Sequence, residues 1–235
     1  KRNMIRIDSE EPLESALTKL LSHRIHMALV IDEFRGTEGV LTLERILEQL
    51  VGEIRDEEVA RTAVHAALTG HMVFSTLHTN NAAGAYPRLI DIGIDASMAG
   101  SSVNVVIAQR LLRKLHPEWR KEVPIEGEDK ILIDKILAGI HQKNLLPENT
   151  TTMWVPNAPE GEVGYKGRVG VYEMIRTTRE IENAIRENHT IRELEEIARQ
   201  QETFISMQED AVLKILAGVT TLEEMRRVLG EDRGD

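Results

Sequence analysis

Residues 51–58 read VGEIRDEE, a string that can end a helix or form the acidic end of a strand. To its left, Leu43, Ile46, Leu47, Leu50, Val51 and Ile54 step by three and four and put one apolar face on a helix running into the octapeptide. A strand ending there would need an unbroken β-branched run, and ERILEQLV (44–51) is poor in one. To its right, Val59, Ala60, Ala63, Val64, Ala67 and Leu68 give a second helix, stopped by Gly70. The spacing predicts helix through about Leu50 to Ile54 and helix again from Val59.

Further left, Leu13, Ala16, Leu17, Leu20 and Leu21 mark a helix over 11–21, and MALVI (27–31) and GVLTL (39–43) are strands around a polar turn. To the right, HMVFSTL (71–77) reads as a buried strand followed by the polar turn His78–Asn81. A helix is expected over 82–92, kinked or delayed by Pro87. Residues 101–115 read as a helix closed by Pro117, 117–130 and 147–164 as loop, 131–140 as a helix and RVGVYEMI (168–175) as a strand. Thr190–Glu193, Ser206–Glu209 and Thr220–Glu223 each fit a capping box, in which hydroxyl and carboxylate satisfy the first free N–H groups of a helix.

The chain has 235 residues, 3% aromatics and a formal net charge of −10. Aliphatic side chains must therefore build the core, and the charge argues against a nucleic-acid binder, which needs a basic face. Arg110, Arg113 and Lys114 form a local basic patch only. The absence of cysteine excludes disulfides and thiolate metal sites and suits a reducing cytoplasm. No apolar run approaches the roughly 20 residues that span a bilayer. The expectation is a soluble, cytoplasmic chain without signal peptide or membrane insertion.

SHRIHMALVIDEFRGTEGVLTLERILEQLVGEIRDE (22–57) carries a resemblance over residues 4–57 to a single CBS domain, the second repeat of hemolysin C/CorC-type magnesium and cobalt transporters. There a Gly-h-h-Thr-x-x-Asp pattern holds adenosine nucleotides. Gly39 to Thr42 fit it, but Arg45 replaces the Asp and, being donor-only, cannot accept from ribose hydroxyls. Thr42 thus has two readings, nucleotide contact or cap of the 43–54 helix.

GEIRDEEVARTAVHAALTGHMVFSTLHTNNAAGA (52–85), RLIDIGID (88–95), IAQRLLRKL (107–115), GYKGRVGVYEMI (164–175) and the tail 206–230 carry a second resemblance, over 51–235, to the C-terminal part of type II secretion and type IV pilus assembly ATPases. It implies that Gly52 and Glu53 stand at the Walker B end, the carboxylate orienting water and assisting Mg²⁺. His78 in STLHTN matches the His box that senses phosphate; without the family match it reads as a polar residue on an exposed turn. Thr79 and Arg110 are further nucleotide-side candidates, Arg110 with no assigned step. The implied fold is mixed α/β: a CBS-like β-α half-module over 1–57, the C-terminal half of a RecA-like P-loop NTPase core over 51–116, and a helical C-terminal subdomain over 117–235. The partners implied are further copies in a hexamer and the inner-membrane secretion or pilus platform.

What is absent shapes the function. No G-x-x-x-x-G-K-[ST] occurs anywhere in the sequence, and phosphoryl transfer relies on that loop, its Lys and the Mg²⁺ it helps to hold. ATP and Mg²⁺ are the family's cofactors, yet Glu53-dependent hydrolysis by this chain alone is not expected. Many of these ATPases also bind zinc through two C-x-x-C pairs. The matching stretches, 115–122 and 153–164, have no Cys, and His116 alone cannot supply four ligands, so no zinc is expected. The helix 131–140 and Trp154 are expected to pack that region. GEIRDE is then a shared motif at which a CBS-like head is fused to an ATPase-like tail. Two functions compete with the secretion-ATPase reading: a CBS-type nucleotide-binding regulatory module linked to ion transport, with the tail as scaffold, and a hybrid with no selected activity.

Overall fold

The structure, a computed structural model, describes residues 5–12, 15–16, 19–20, 27–31, 37–42 and 53–230. The 43–52 part of the predicted helix, with Arg45 and Gly52, lies outside them. The chain divides into two compact units, one of residues 1–78 and 85–104, the other of 79–84 and 105–235.

In the first unit β1 (Ile5–Asp8), β2 (Met27–Ile31) and β3 (Thr37–Thr42) form a sheet in that order, β1 parallel and β3 antiparallel to β2. Within the predicted 11–21 helix, residues 15–16 and 19–20 are helical, with Ala16 and Leu20 buried. Helix α1 (Glu57–Leu68) starts where Asp56 accepts from Val59 N–H at 3.0 Å, with Glu57 and Glu58 favouring its positive end. Gly70 follows at φ +92°. Ala60 and Val64 of α1 pack with Leu89 of α2 (Ala85–Asp91), Ile94, and Ala99 of α3 (Ala96–Ser102). Pro87 lies in the first turn of α2, where its missing N–H costs no helix bond, so it delays the helix rather than kinking it.

The predicted helix to Ile54 fails at its described end. Glu53 makes a parallel β-bridge with Thr76, and Ile54 N–H donates to Thr76 O at 2.8 Å. The predicted 71–77 strand is equally reduced: Thr76 is its one bridging residue among those described, and Met72 and Phe74 are 78% and 81% exposed. A strand exists through its partners, and the described partner here is a single residue.

The second unit is built on a long antiparallel ribbon of β4 (Val105–Leu115) and β7 (Tyr165–Arg176). Residues 105–115, predicted helical, are thus a strand. Ile107, Leu111 and Leu115 satisfy a helical period by coincidence, whereas Val105, Val106 and Ile107 are β-branched and the whole stretch pairs with β7. The loop-like 117–130 and 147–164 contain a second ribbon, β5 (Arg120–Pro124) with β6 (Thr152–Pro156), whose Trp154 ring lies 4.5 Å under the Arg120 guanidinium. Helix α4 (Gly127–Gly139) supplies Ile133, Ile136 and Leu137 to the main core with Leu112 and Val171.

Helices α5 (Arg179–Arg186), α6 (Ile191–Ala198), α7 (Met207–Leu216) and α8 (Leu222–Leu229) complete the unit. Thr190 and Ser206 make the full capping boxes predicted for α6 and α7. The third cap is shifted by one residue: Thr221 accepts from Glu224 N–H at 3.2 Å. Glu224 does not reach back, because Arg113 and Arg227 hold its carboxylate more strongly.

Candidate functional site

The bridge to Thr76 fixes what surrounds Glu53. Side chains two apart on an extended chain share a side, so Arg55 falls beside Glu53, and His78, two beyond Thr76, comes up opposite. Arg55 Nε donates to Glu53 Oε2 at 2.7 Å, and His78 Nε2 lies 2.8 Å from Oε1. That second approach lacks hydrogen-bond geometry, which leaves Oε1 with no hydrogen bond. The His78 side chain is 90% exposed and that of Glu53 21%. The Arg55 guanidinium, with a smaller contribution from His78, holds the Glu53 carboxyl below its ordinary range. Arg55 escaped the sequence reading, although its i+2 spacing from Glu53 is the signal an extended backbone would have supplied.

The residues after His78 belong to the second unit. Thr79 Oγ1 donates to Asn81 O at 3.0 Å, and Asn81 Oδ1 accepts from Gly84 N–H at 2.9 Å. A Cβ on Gly84 would sit 2.9 Å from that oxygen and would force the Asn81 side chain to shift. Arg110 Nη2 donates to Asn80 O at 3.1 Å, Asn81 Nδ2 donates to Glu195, and the buried Ala82 N–H donates to Glu173 Oε1 at 2.9 Å. Asn80, Asn81, Arg110, Glu173 and Glu195 line a cavity of about 370 Å³ together with apolar Phe204, Met207, Val228 and Leu229. Glu173 is 7% exposed, and burial pushes its carboxyl up.

Of the sequence-derived candidates, Glu53 and His78 meet. Thr79 and Arg110 instead hold the backbone of the 79–84 turn. Thr42 lies in β3 opposite Met27, with its side chain outside the described residues. Glu53 Oε1 makes no hydrogen bond but is buried 2.8 Å from His78 Nε2, so a hydrated Mg²⁺ reaches it only if that imidazole moves; Arg55 is already committed to the carboxylate, and nothing in the described site cradles a triphosphate. Among the described residues no group of three or more His, Asp or Glu could hold a metal ion, and no helix is long and apolar enough to cross a membrane.

Residues 1–52 match the CBS domain, and residues 46–227 match the family described as type II/IV secretion system protein. Among relatives, a putative type II secretion system protein E of Escherichia coli K12 is 34% identical over 229 residues, 97% of this chain and 43% of that protein. The type IV pilus assembly ATPase PilB of Pseudomonas aeruginosa is 41% identical over 191 residues, 76% of this chain and 30% of its own length. The chain therefore spans less than half of these relatives. The pilus retraction motor PilT, solved with bound ADP, shares the fold at a TM-score of 0.52 and 22% identity over 92% of this chain and 43% of that one. With a match over 46–227, the chain belongs to the type II/IV secretion system protein family and carries a CBS domain ahead of it.

Proposed function

We propose that this chain contributes the Glu53–His78 side of an ATP-hydrolysing site that drives pilus or pseudopilus assembly and protein secretion, and that the phosphate cradle comes from outside the sequence described. The observation that carries this reading is the Glu53 carboxylate, bound on Oε2 by Arg55, with the exposed imidazole of His78 2.8 Å from a buried Oε1 that makes no hydrogen bond. Such a group can orient a water and share a hydrated Mg²⁺, and His78 can meet a phosphate oxygen. Positioning of the triphosphate needs a Gly-rich loop and its Lys, which the sequence lacks. Hydrolysis by the chain alone is not expected. Its setting is the cytoplasm at the face of the inner membrane, in a hexameric assembly with secretion-platform proteins, and its divisions are 1–57, 51–116 and 117–235.

The test mixes the chain with a phosphate-loop-bearing half of a secretion ATPase and measures Mg²⁺-dependent ATP turnover. Turnover in the mixture, lost with Glu53→Gln or His78→Ala, is expected. Turnover by the chain alone that is lost with Glu53→Gln would refute the division of labour. The CBS match over 1–52 favours a second reading, an adenosine-nucleotide regulatory head. Binding of a fluorescent AMP analogue that disappears with Thr42→Ala would establish it.

A further inference from the structure

The cavity of about 370 Å³ takes its lining from the second unit alone. Its polar groups divide by what they still lack. The acids are supplied from inside the fold. Glu173 accepts from the N–H groups of Ala82, at 2.9 Å, and Met207. Glu209 of α7 accepts from Ser206 N–H at 2.8 Å and from Arg199 Nη1 at 3.3 Å, and Glu195 accepts from Asn81 Nδ2.

The donors are not used up. Arg110 Nη1 and Nη2 donate to the carbonyls of Gln109 and Asn80 at 3.2 and 3.1 Å, and among the described residues no carboxylate pairs with this guanidinium. Held only by neutral carbonyls, it keeps its charge and has N–H groups to spare. The side-chain amides of Asn80 and Gln208, on the same lining, make no hydrogen bond to a described residue. The spare capacity is therefore cationic and donor-type, and it stands beside apolar Phe204, Met207, Val228 and Leu229. That combination takes an anionic acceptor with an apolar body. Glu173 and Glu195 limit the charge such a ligand can carry. A phosphate cluster would be repelled, whereas a single carboxylate meets the guanidinium fork in both charge and shape.

We propose that this cavity binds a small amphipathic carboxylate, its charged end on Arg110 and its hydrocarbon body against Phe204, Val228 and Leu229. The site involves neither Glu53 nor His78, so it stands whether or not ATP is turned over. Arg110 also holds Asn80 O, so occupancy registers in the 79–84 turn. A free organic acid and the C-terminal carboxylate of a peptide both carry this chemistry.

The test titrates the whole ¹⁵N-labelled chain with hexanoate, N-acetyl-Gly-Leu, the C-terminal amide of that dipeptide and inorganic phosphate, following the amides of Asn80, Asn81, Phe204 and Gln208. Saturable shifts are expected with the carboxylates, the tighter of the two naming the source, and binding of the dipeptide amide should be weaker by about tenfold or more. Arg110→Gln should weaken carboxylate binding by about tenfold or more. Because that change also loosens the turn, Gln208→Trp is the second variant: it fills the cavity while breaking no hydrogen bond of its side chain, and should abolish binding at an unchanged thermal midpoint. No saturable shift with either carboxylate, phosphate or the dipeptide amide bound as tightly as the acids, or full affinity in both variants overturns the proposal.

Discussion

Arg113 binds Glu224 twice over: its backbone N–H donates to Oε2 at 2.9 Å and its Nε to Oε1 at 2.8 Å. Arg227 approaches the same carboxylate with Nε at 2.7 Å and Nη2 at 2.8 Å. Glu224 has no exposed side-chain surface, and Arg227 foremost, then Arg113, lowers its carboxyl from 4.5 to about 2. One acid on α8 therefore closes the last helix onto the central ribbon.

A carboxyl depressed in the folded state stabilises the fold above its unfolded value and ceases to do so as pH falls through the folded one. Stability of the second unit should drop between about pH 4.5 and pH 2, by about 3 kcal/mol from this group. Urea unfolding followed by tryptophan fluorescence should show the loss, and Glu224→Gln should remove most of that dependence while lowering stability at neutral pH. Glu173 acts in the opposite sense: its raised carboxyl favours the fold at low pH, and that contribution declines as pH climbs through the raised value.

Arg55 is the main reason the Glu53 carboxyl is low. Arg55→Ala should return Glu53 toward the ordinary carboxylate range, seen directly by ¹³C titration of the labelled side chain. An unchanged Glu53 titration would contradict the ion pair.

Gly218, at φ +69°, has room for no side chain: a Cβ there would lie 2.6 Å from Trp154 Cδ1 and 2.7 Å from Arg120 Nη1. Gly218→Ala should cost about 1–3 kcal/mol and change the Trp154 emission, because the Arg120–Trp154 stack must shift.

The two complete capping boxes differ in burial. Ser206 is 8% exposed and Thr190 is exposed. Ser206→Ala should cost about 1–2 kcal/mol and Thr190→Ala about 0.5–1 kcal/mol, measured as shifts in the urea midpoint.

The sequence displays what is local and conceals what is paired. The α6 and α7 caps are legible because Thr190 and Ser206 act within their own first turn. β4 is misread because Ile107, Leu111 and Leu115 fit two periods at once, and only β7, fifty residues on, decides between them. The bend from expected helix to extended chain at Glu53 has the same origin in Thr76. Glu53 and His78 were identified through family resemblance and do meet, whereas Arg55 and Glu173 become visible only once the backbone shows which side they face.

The polypeptide passes between the two units three times, after residues 78, 84 and 104. No single cut can therefore release either unit intact. A fragment beginning at residue 105 would lack the strip 79–84, stripping Glu173 of its Ala82 donor and Arg110 of its Asn80 acceptor. Excising one half of this protein means damaging the other, so function will have to be dissected by substitution within the whole chain.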